Sequence, residues 1–131
     1  MPAKFDAIGV IVDEVKPTLE FYRKVGLEFP EDAGTEGGHF EATNTGGVRI
    51  MFDTVEEIQK FAPDWKASSG STRFSLAFLC TSPEEVDSIY VELTGLGYHG
   101  EKEPWDAFWG QRYAILHDPS GNEVDLFAPL S

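Results

Sequence analysis

At 131 residues the chain fits one ordinary domain, and its 41 % hydrophobic and 13 % aromatic residues supply a core that a disordered chain would lack. Ten Lys and Arg against 23 Asp and Glu leave a net charge of −13, which repels phosphate backbones and attracts cationic small molecules, so nucleic acid is excluded as a partner. No apolar run approaches the ~20 residues that span a bilayer, the first residues lack a signal-peptide pattern, and a single cysteine, Cys80, permits neither an internal disulfide nor a cysteine zinc cluster. A cytoplasmic protein with no membrane partner is expected.

The first strand is predicted over Phe5 to Val12, with Ile8, Val10 and Val12 on one face. A helix follows from about Asp13 to Val25, with Pro17 tolerated in its first turn, an apolar stripe of Val15, Leu19 and Tyr22, and Gly26 as its stop. Three strand-like pieces come next, at about Leu27 to Glu31, Gly38 to Thr43 and Val48 to Asp53, the last two joined by the turn signal Gly46-Gly47. Thr54-x-x-Glu57 is a capping box opening a short helix that Pro63 ends. Ala67 to Thr72, small and polar, reads as a linker.

The same order then recurs. Arg73 to Thr81 is a strand, and Ser82-Pro83-Glu84-Glu85 starts a helix that carries Val86, Ile89, Tyr90, Leu93 and Leu96 and stops near Gly97. Strands are expected near Tyr98 to Glu103, at Gln111 to His117, and, after the tight turn Asp118 to Asn122, on to Phe127. The repeat predicts an α+β fold of two tandem βαβββ modules, about 4–66 and 73–131 of a single domain, forming curved mixed sheets around a cleft.

The Asp118–Asn122 turn gives a register for the last two strands. With Asp118 opposite Asn122, Ile115 faces Asp125, Tyr113 faces Phe127 and His117 faces Glu123, all on the cavity side. Leu116 with Val124, and Ala114 with Leu126, form the apolar side that belongs against a helix, and Cys80 falls on the helix-facing side of its own strand.

The run Trp109-Gly110-Gln111-Arg112-Tyr113-Ala114, then Asp118-Pro119-x-Gly121-Asn122-x-Val124-Asp125-Leu126-Phe127, together with Leu19-Glu20-Phe21-Tyr22-x-x-Val25-Gly26, resembles the glyoxalase/bleomycin-resistance/dioxygenase (vicinal oxygen chelate) superfamily. Within it, Phe52-Asp53-Thr54-Val55-Glu56, Pro104-Trp105-x-Ala107-x-Trp109 and the tail Val124 to Leu130 most resemble the mitomycin-binding resistance proteins. The resemblance implies that metal-dependent relatives bind an ion through one His, Glu or Gln from each of four strands. The matching positions here are Ala7, Met51, Ser75 and Asp125, and only Asp125 keeps a ligand-type side chain. No metal and no cofactor are therefore expected, and none of His39, His99 and His117 has a ligand partner at suitable spacing along the chain. A remodelled site of His39, Glu41 and Asp125 stays open as an alternative.

Trp105, Phe108 and Trp109, within five residues in a loop or strand entry, can stack on a flat ligand, or else plug the end of the fold or a dimer interface. The resemblance implies that aromatic and histidine side chains clamp a planar drug, with His39 and Trp109 at matching positions and Phe52 where the relative has Trp. Arg112 either pairs with Glu123 or Asp125 or orients the ligand. The expected ligand site is thus His39, Phe52, Trp105, Phe108, Trp109, Arg112, Tyr113 and Asp125, in a homodimer that sequesters an aromatic small molecule without a metal. The rival expectation is a glyoxalase-like enzyme (lyase, isomerase or dioxygenase), or a metal-free hydrolase, using His39, Glu41, Glu123 or Asp125 as acid or base.

Overall fold

A computed structural model describes residues 3–131. The fold is α+β with two mixed sheets, one in each of two compact units that meet in sequence at Ser68 and Ser69.

The first unit contains β1 (Ala7–Val12), α1 (Val15–Val25), β2 (His39–Glu41), β3 (Arg49–Thr54) and α2 (Val55–Gln59). Its sheet has the order β1-β3-β2, with β1 parallel and β2 antiparallel to β3. α1 stops where expected: the N–H groups of Gly26 and Leu27 both donate to the Tyr22 carbonyl, at 3.1 and 2.9 Å. Thr54 caps α2 by accepting the N–H of Glu57. The Glu57 carboxylate does not return to Thr54; it accepts from the N–H of Gly38 at 3.0 Å and from Lys60.

One expected strand is absent. Leu27 to Glu31 forms no ladder, because Asn44 and Thr43 meet its backbone groups in place of a neighbouring strand. Asn44 accepts the N–H of Glu28 and donates to the Gly26 carbonyl, while Thr43 donates to the Glu28 carbonyl. Pro30, without an N–H, cannot extend a ladder there.

The second unit contains β4 (Ser75–Leu79), α3 (Pro83–Gly95), β5 (Gly100–Ala107), β6 (Gln111–His117) and β7 (Glu123–Pro129). The sheet order is β4-β7-β6-β5, with β4 parallel to β7 and the other pairs antiparallel. Ser82 caps α3 on the N–H of Glu85, with Pro83 in the first turn. α3 lies against β5, β6 and β7, and Ala114, Leu116, Val124 and Leu126 are buried on that side.

The β6–β7 register is the one the turn predicts: Tyr113↔Phe127, Ile115↔Asp125 and His117↔Glu123 on one face, Ala114↔Leu126 and Leu116↔Val124 on the other. Asp118 builds the turn, its side chain accepting the N–H groups of Ser120 and Asn122, which accounts for its burial without a role in a site.

The segment Glu101 to Trp109 is more regular than expected. It is strand as far as Ala107 and forms a hairpin with β6 through Phe108, Trp109 and Gly110. Gly110 has φ 93°, a conformation that side chains disfavour, and its N–H closes the turn on the Ala107 carbonyl. β5 is the edge of the sheet, so Pro104 costs it no ladder bond that the fold needs.

Candidate functional site

In the second unit the face of the sheet away from α3 carries an aromatic group at one end. Pairing of Trp105 with Tyr113 and of Tyr113 with Phe127 sets three rings on neighbouring strands, and the β5–β6 turn folds Trp109 onto them. Ring centroids lie 5.5 Å apart for Trp105–Tyr113, 5.3 Å for Trp109–Tyr113 and 6.1 Å for Tyr113–Phe127. The tryptophans meet each other and Tyr113 edge to face, as ring quadrupoles favour. Trp109 keeps 49 % of its surface exposed and Phe108, beside it, 96 %. The Trp109 indole N–H donates to Gln111 at 2.8 Å, which holds the ring in place. Lys102 places its ammonium 4.1 Å from the centre of the Trp105 ring, so this ring already serves as a cation–π acceptor.

Next along the same face come the acids. Asp125 is 4 % exposed; one of its oxygens accepts the Tyr113 phenol, and the other is buried without a hydrogen-bond partner. Burial and this carboxylate hold the Tyr113 phenol above its ordinary range. Glu123, two residues before Asp125 and on the same side, is pushed up to about 7 by burial, by a hydrogen bond with the Asp125 carboxylate, and by the negative charge of Asp125 and Glu101.

In the first unit, β2 and β3 bring His39 and Asp53 opposite each other, with Glu41 opposite Met51. His39 Nδ1 lies 2.8 Å from Asp53 and Nε2 3.0 Å from Glu41, so both nitrogens donate when the ring is an imidazolium. Those hydrogen bonds, Asp53 first, raise the pKa of His39 above 6.5. Arg49 binds Glu41 through Nε and Nη2 and reaches Asp6 with Nη1, and it draws the Glu41 carboxyl down to about 2.

Of the eight residues expected in one site, Trp105, Trp109, Tyr113 and Asp125 come together, with Phe108 at the rim. Phe52, Arg112 and His39 have surroundings of their own. Phe52 is 0 % exposed and packs against Tyr22, Phe29 and Phe40, because its pairing with Val10 and Phe40 puts it on the apolar side of the first sheet. It offers no surface to a ligand. Arg112 pairs with neither Glu123 nor Asp125: it shares the parity of Ala114 and Leu116 and binds Asp87 of α3 at 3.0 Å and Asp106 at 3.1 Å. Its role is to tie the hairpin to the helix. His39 lies on the exposed polar side of the first sheet and is already engaged by Asp53 and Glu41.

The four positions where metal-dependent relatives carry ligands do not fit an ion. Ala7 has no donor, and Met51 offers a thioether that lies 3.5 Å from the Arg49 guanidinium, a cation already in that place. Ser75 is an exposed hydroxyl and Asp125 is held by Tyr113. A hydroxyl, a thioether and one carboxylate are a poor set for a zinc-type ion.

A different grouping escaped the reading along the chain. His99, Glu101 and His117 bring three ligand atoms within 4.8 Å of one another at the far end of the same sheet face. Their spacing in sequence hides this, because His117 meets the other two only through the β5–β6 ladder. The alternation His99-x-Glu101 was the available signal.

The fold and its repeated strand–helix plan find their counterpart in known proteins. The sequence profile of the Glyoxalase/Bleomycin resistance protein/Dioxygenase superfamily matches residues 4–126, and the chain belongs to that superfamily. Among solved structures it is similar to a glyoxalase/bleomycin resistance protein/dioxygenase family enzyme from Burkholderia phytofirmans, with 21 % identity, TM-score 0.76, and coverage of 98 % of this chain and 100 % of that one. The hypothetical protein SA1046 from S. aureus gives 14 % identity, TM-score 0.78, and coverage of 98 % and 95 %. A lactoylglutathione lyase from Agrobacterium tumefaciens gives 19 % identity, TM-score 0.66, and the same coverage. At these identities the likeness is one of fold. No curated protein matches the chain. Among the described residues no helix is long and apolar enough to cross a membrane.

Proposed function

We propose that the protein binds a planar aromatic small molecule on the second sheet, without a metal at the superfamily's ligand positions, and acts by sequestering it. The observation that carries this reading is the partly exposed ring group of Trp105, Trp109 and Tyr113 next to a buried carboxylate oxygen on Asp125 that has no partner. Stacking on such rings contributes on the order of 0.5–1.5 kcal/mol per aromatic pair beyond area burial. A cationic ligand gains as well, since the ring faces attract a cation and the net charge of −13 draws cations in. The superfamily's name includes bleomycin resistance proteins, and a drug that carries a planar ring system of the mitomycin kind suits this face. The reading includes a homodimer, for which the exposed Phe74, Leu79 and Phe108 supply apolar surface, and sedimentation velocity checks it.

Tryptophan fluorescence titrated with planar antibiotics in metal-free buffer tests the proposal. Saturable quenching that Trp109→Ala and Trp105→Ala each weaken is expected. Binding that neither substitution changes, or no binding by any member of the panel, overturns it.

A second reading is an enzyme using the same face, favoured by the Tyr113–Asp125 pair, a phenol and a carboxylate within proton-transfer distance. Turnover of an aromatic or thioester-like substrate that Asp125→Asn abolishes would establish it over sequestration.

A further inference from the structure

We propose that His99, Glu101 and His117 form a binding site for a divalent transition-metal ion of the Zn²⁺ or Ni²⁺ kind, at the opposite end of the sheet face from the aromatic rings. The site goes beyond the ligand reading above and does not depend on it.

The backbone assembles the three side chains. His99 immediately precedes β5, and its carbonyl accepts the N–H of His117 at 3.0 Å, so the two histidines are neighbours across the ladder. Their ring centres lie 4.8 Å apart. Glu101 reaches both because β5 is bulged there: Gly100 pairs with Leu116 and Lys102 with Ile115, which leaves Glu101 as the extra residue. A bulge of this kind re-aims a side chain and is common beside functional sites. Gly100 makes the approach possible, since a Cβ there would collide with Tyr90 of α3.

Distances suit coordination. His99 Nε2 lies 3.2 Å and His117 Nε2 3.5 Å from the same carboxylate oxygen, Glu101 Oε1. Ligand atoms about 2.0–2.1 Å from a tetrahedral zinc stand about 3.4 Å from one another. The pairs through Glu101 match that edge, and a small ring rotation brings the histidine nitrogens, within 4.8 Å, to it. Two imidazoles and one carboxylate are a set that zinc, nickel and iron accept, and three protein ligands leave a position open for water or a ligand. Glu123, opposite His117 in the ladder, places a further carboxyl group beside the site.

The test uses the full chain without a histidine tag and Zn²⁺ alone. The chain has only three histidines, so their ring resonances separate this site from general attraction to an acidic surface. One Zn²⁺ per chain is expected by calorimetry, with the His99 and His117 ring signals shifting together and the His39 signals still. His99→Ala, His117→Ala and Glu101→Ala should each abolish the 1:1 phase while circular dichroism shows the fold intact, which the exposure of His99 and Glu101 permits. Zinc binding that survives His99→Ala and His117→Ala overturns the proposal, as do equal shifts of all three histidines or no 1:1 binding. Failure of the aromatic-ligand titration leaves this result untouched.

Discussion

The phenol of Tyr113 donates to Asp125 at 2.5 Å from one strand to the next, and it holds only one of the two carboxylate oxygens. A buried carboxylate so treated is half satisfied. This arrangement costs stability that a purely structural pair would not spend.

Tyr113→Phe should therefore keep the ring stack and remove the phenol donor to Asp125. A loss of about 1–3 kcal/mol in urea unfolding is expected from an acceptor left buried and unpaired. Adding Asp125→Asn to the Tyr113→Phe protein should recover part of it, because a neutral amide is cheaper to bury than a charge. An unchanged unfolding midpoint in Tyr113→Phe would show that the contact is energetically idle.

Phe52 offers a contrast within the aromatic residues. Its ring sits between Tyr22, Phe29 and Phe40 with no exposed surface. Phe52→Ala should lower stability by about 3–5 kcal/mol, and the milder Phe52→Leu by less. Any folded Phe52→Leu protein should bind aromatic ligands with wild-type affinity, whereas Trp109→Ala should not. A selective loss of ligand affinity in Phe52→Leu would return this residue to the site.

Arg112 joins β6 to α3 through Asp87 and to β5 through Asp106, both at partly exposed positions. Exposed pairs are worth little, so Arg112→Ala should cost at most about 1 kcal/mol in thermal or urea unfolding. Ligand affinity should stay unchanged, since the guanidinium lies on the helix side of the sheet. Asp87→Ala should cost no more than Arg112→Ala, and the double substitution should cost less than the sum of the two, because both remove the Arg112–Asp87 pair.

His39 makes the first unit sensitive to pH. Its pKa is raised above 6.5 by Asp53 and Glu41, so the folded state favours the imidazolium. The resulting stabilisation is fully present below about 6.5, the value of the unfolded chain, and is lost as pH rises through the higher folded value. A ring titration by NMR should place the His39 midpoint above 6.5, and Asp53→Asn should bring it down. Glu41 works in the opposite sense: with its carboxyl drawn down to about 2 by Arg49, its contribution is present above about 4.5 and lost as pH falls towards about 2.

What could be read along the chain was whatever short-range chemistry decides. The Ser82 and Thr54 caps, the Gly26 stop and the Asp118–Asn122 turn each act over four or five residues, and each stands in the structure. The turn also fixed the full β6–β7 register, because a tight connection leaves two antiparallel strands no freedom to slip. The superfamily pattern of Trp109 to Phe127 lies largely on that hairpin, which is why family and fold were legible together. Tertiary structure decided the rest. Whether Phe52 met a ligand or a core depended on its pairing with Val10, far away along the chain, and parity on one strand says nothing of which side a helix covers. Arg112 chose Asp87 over Asp125 for the same reason. The grouping of His99, Glu101 and His117 required an edge ladder and a bulge that shifts pairing by one residue, and no local propensity records where a strand gains an extra residue.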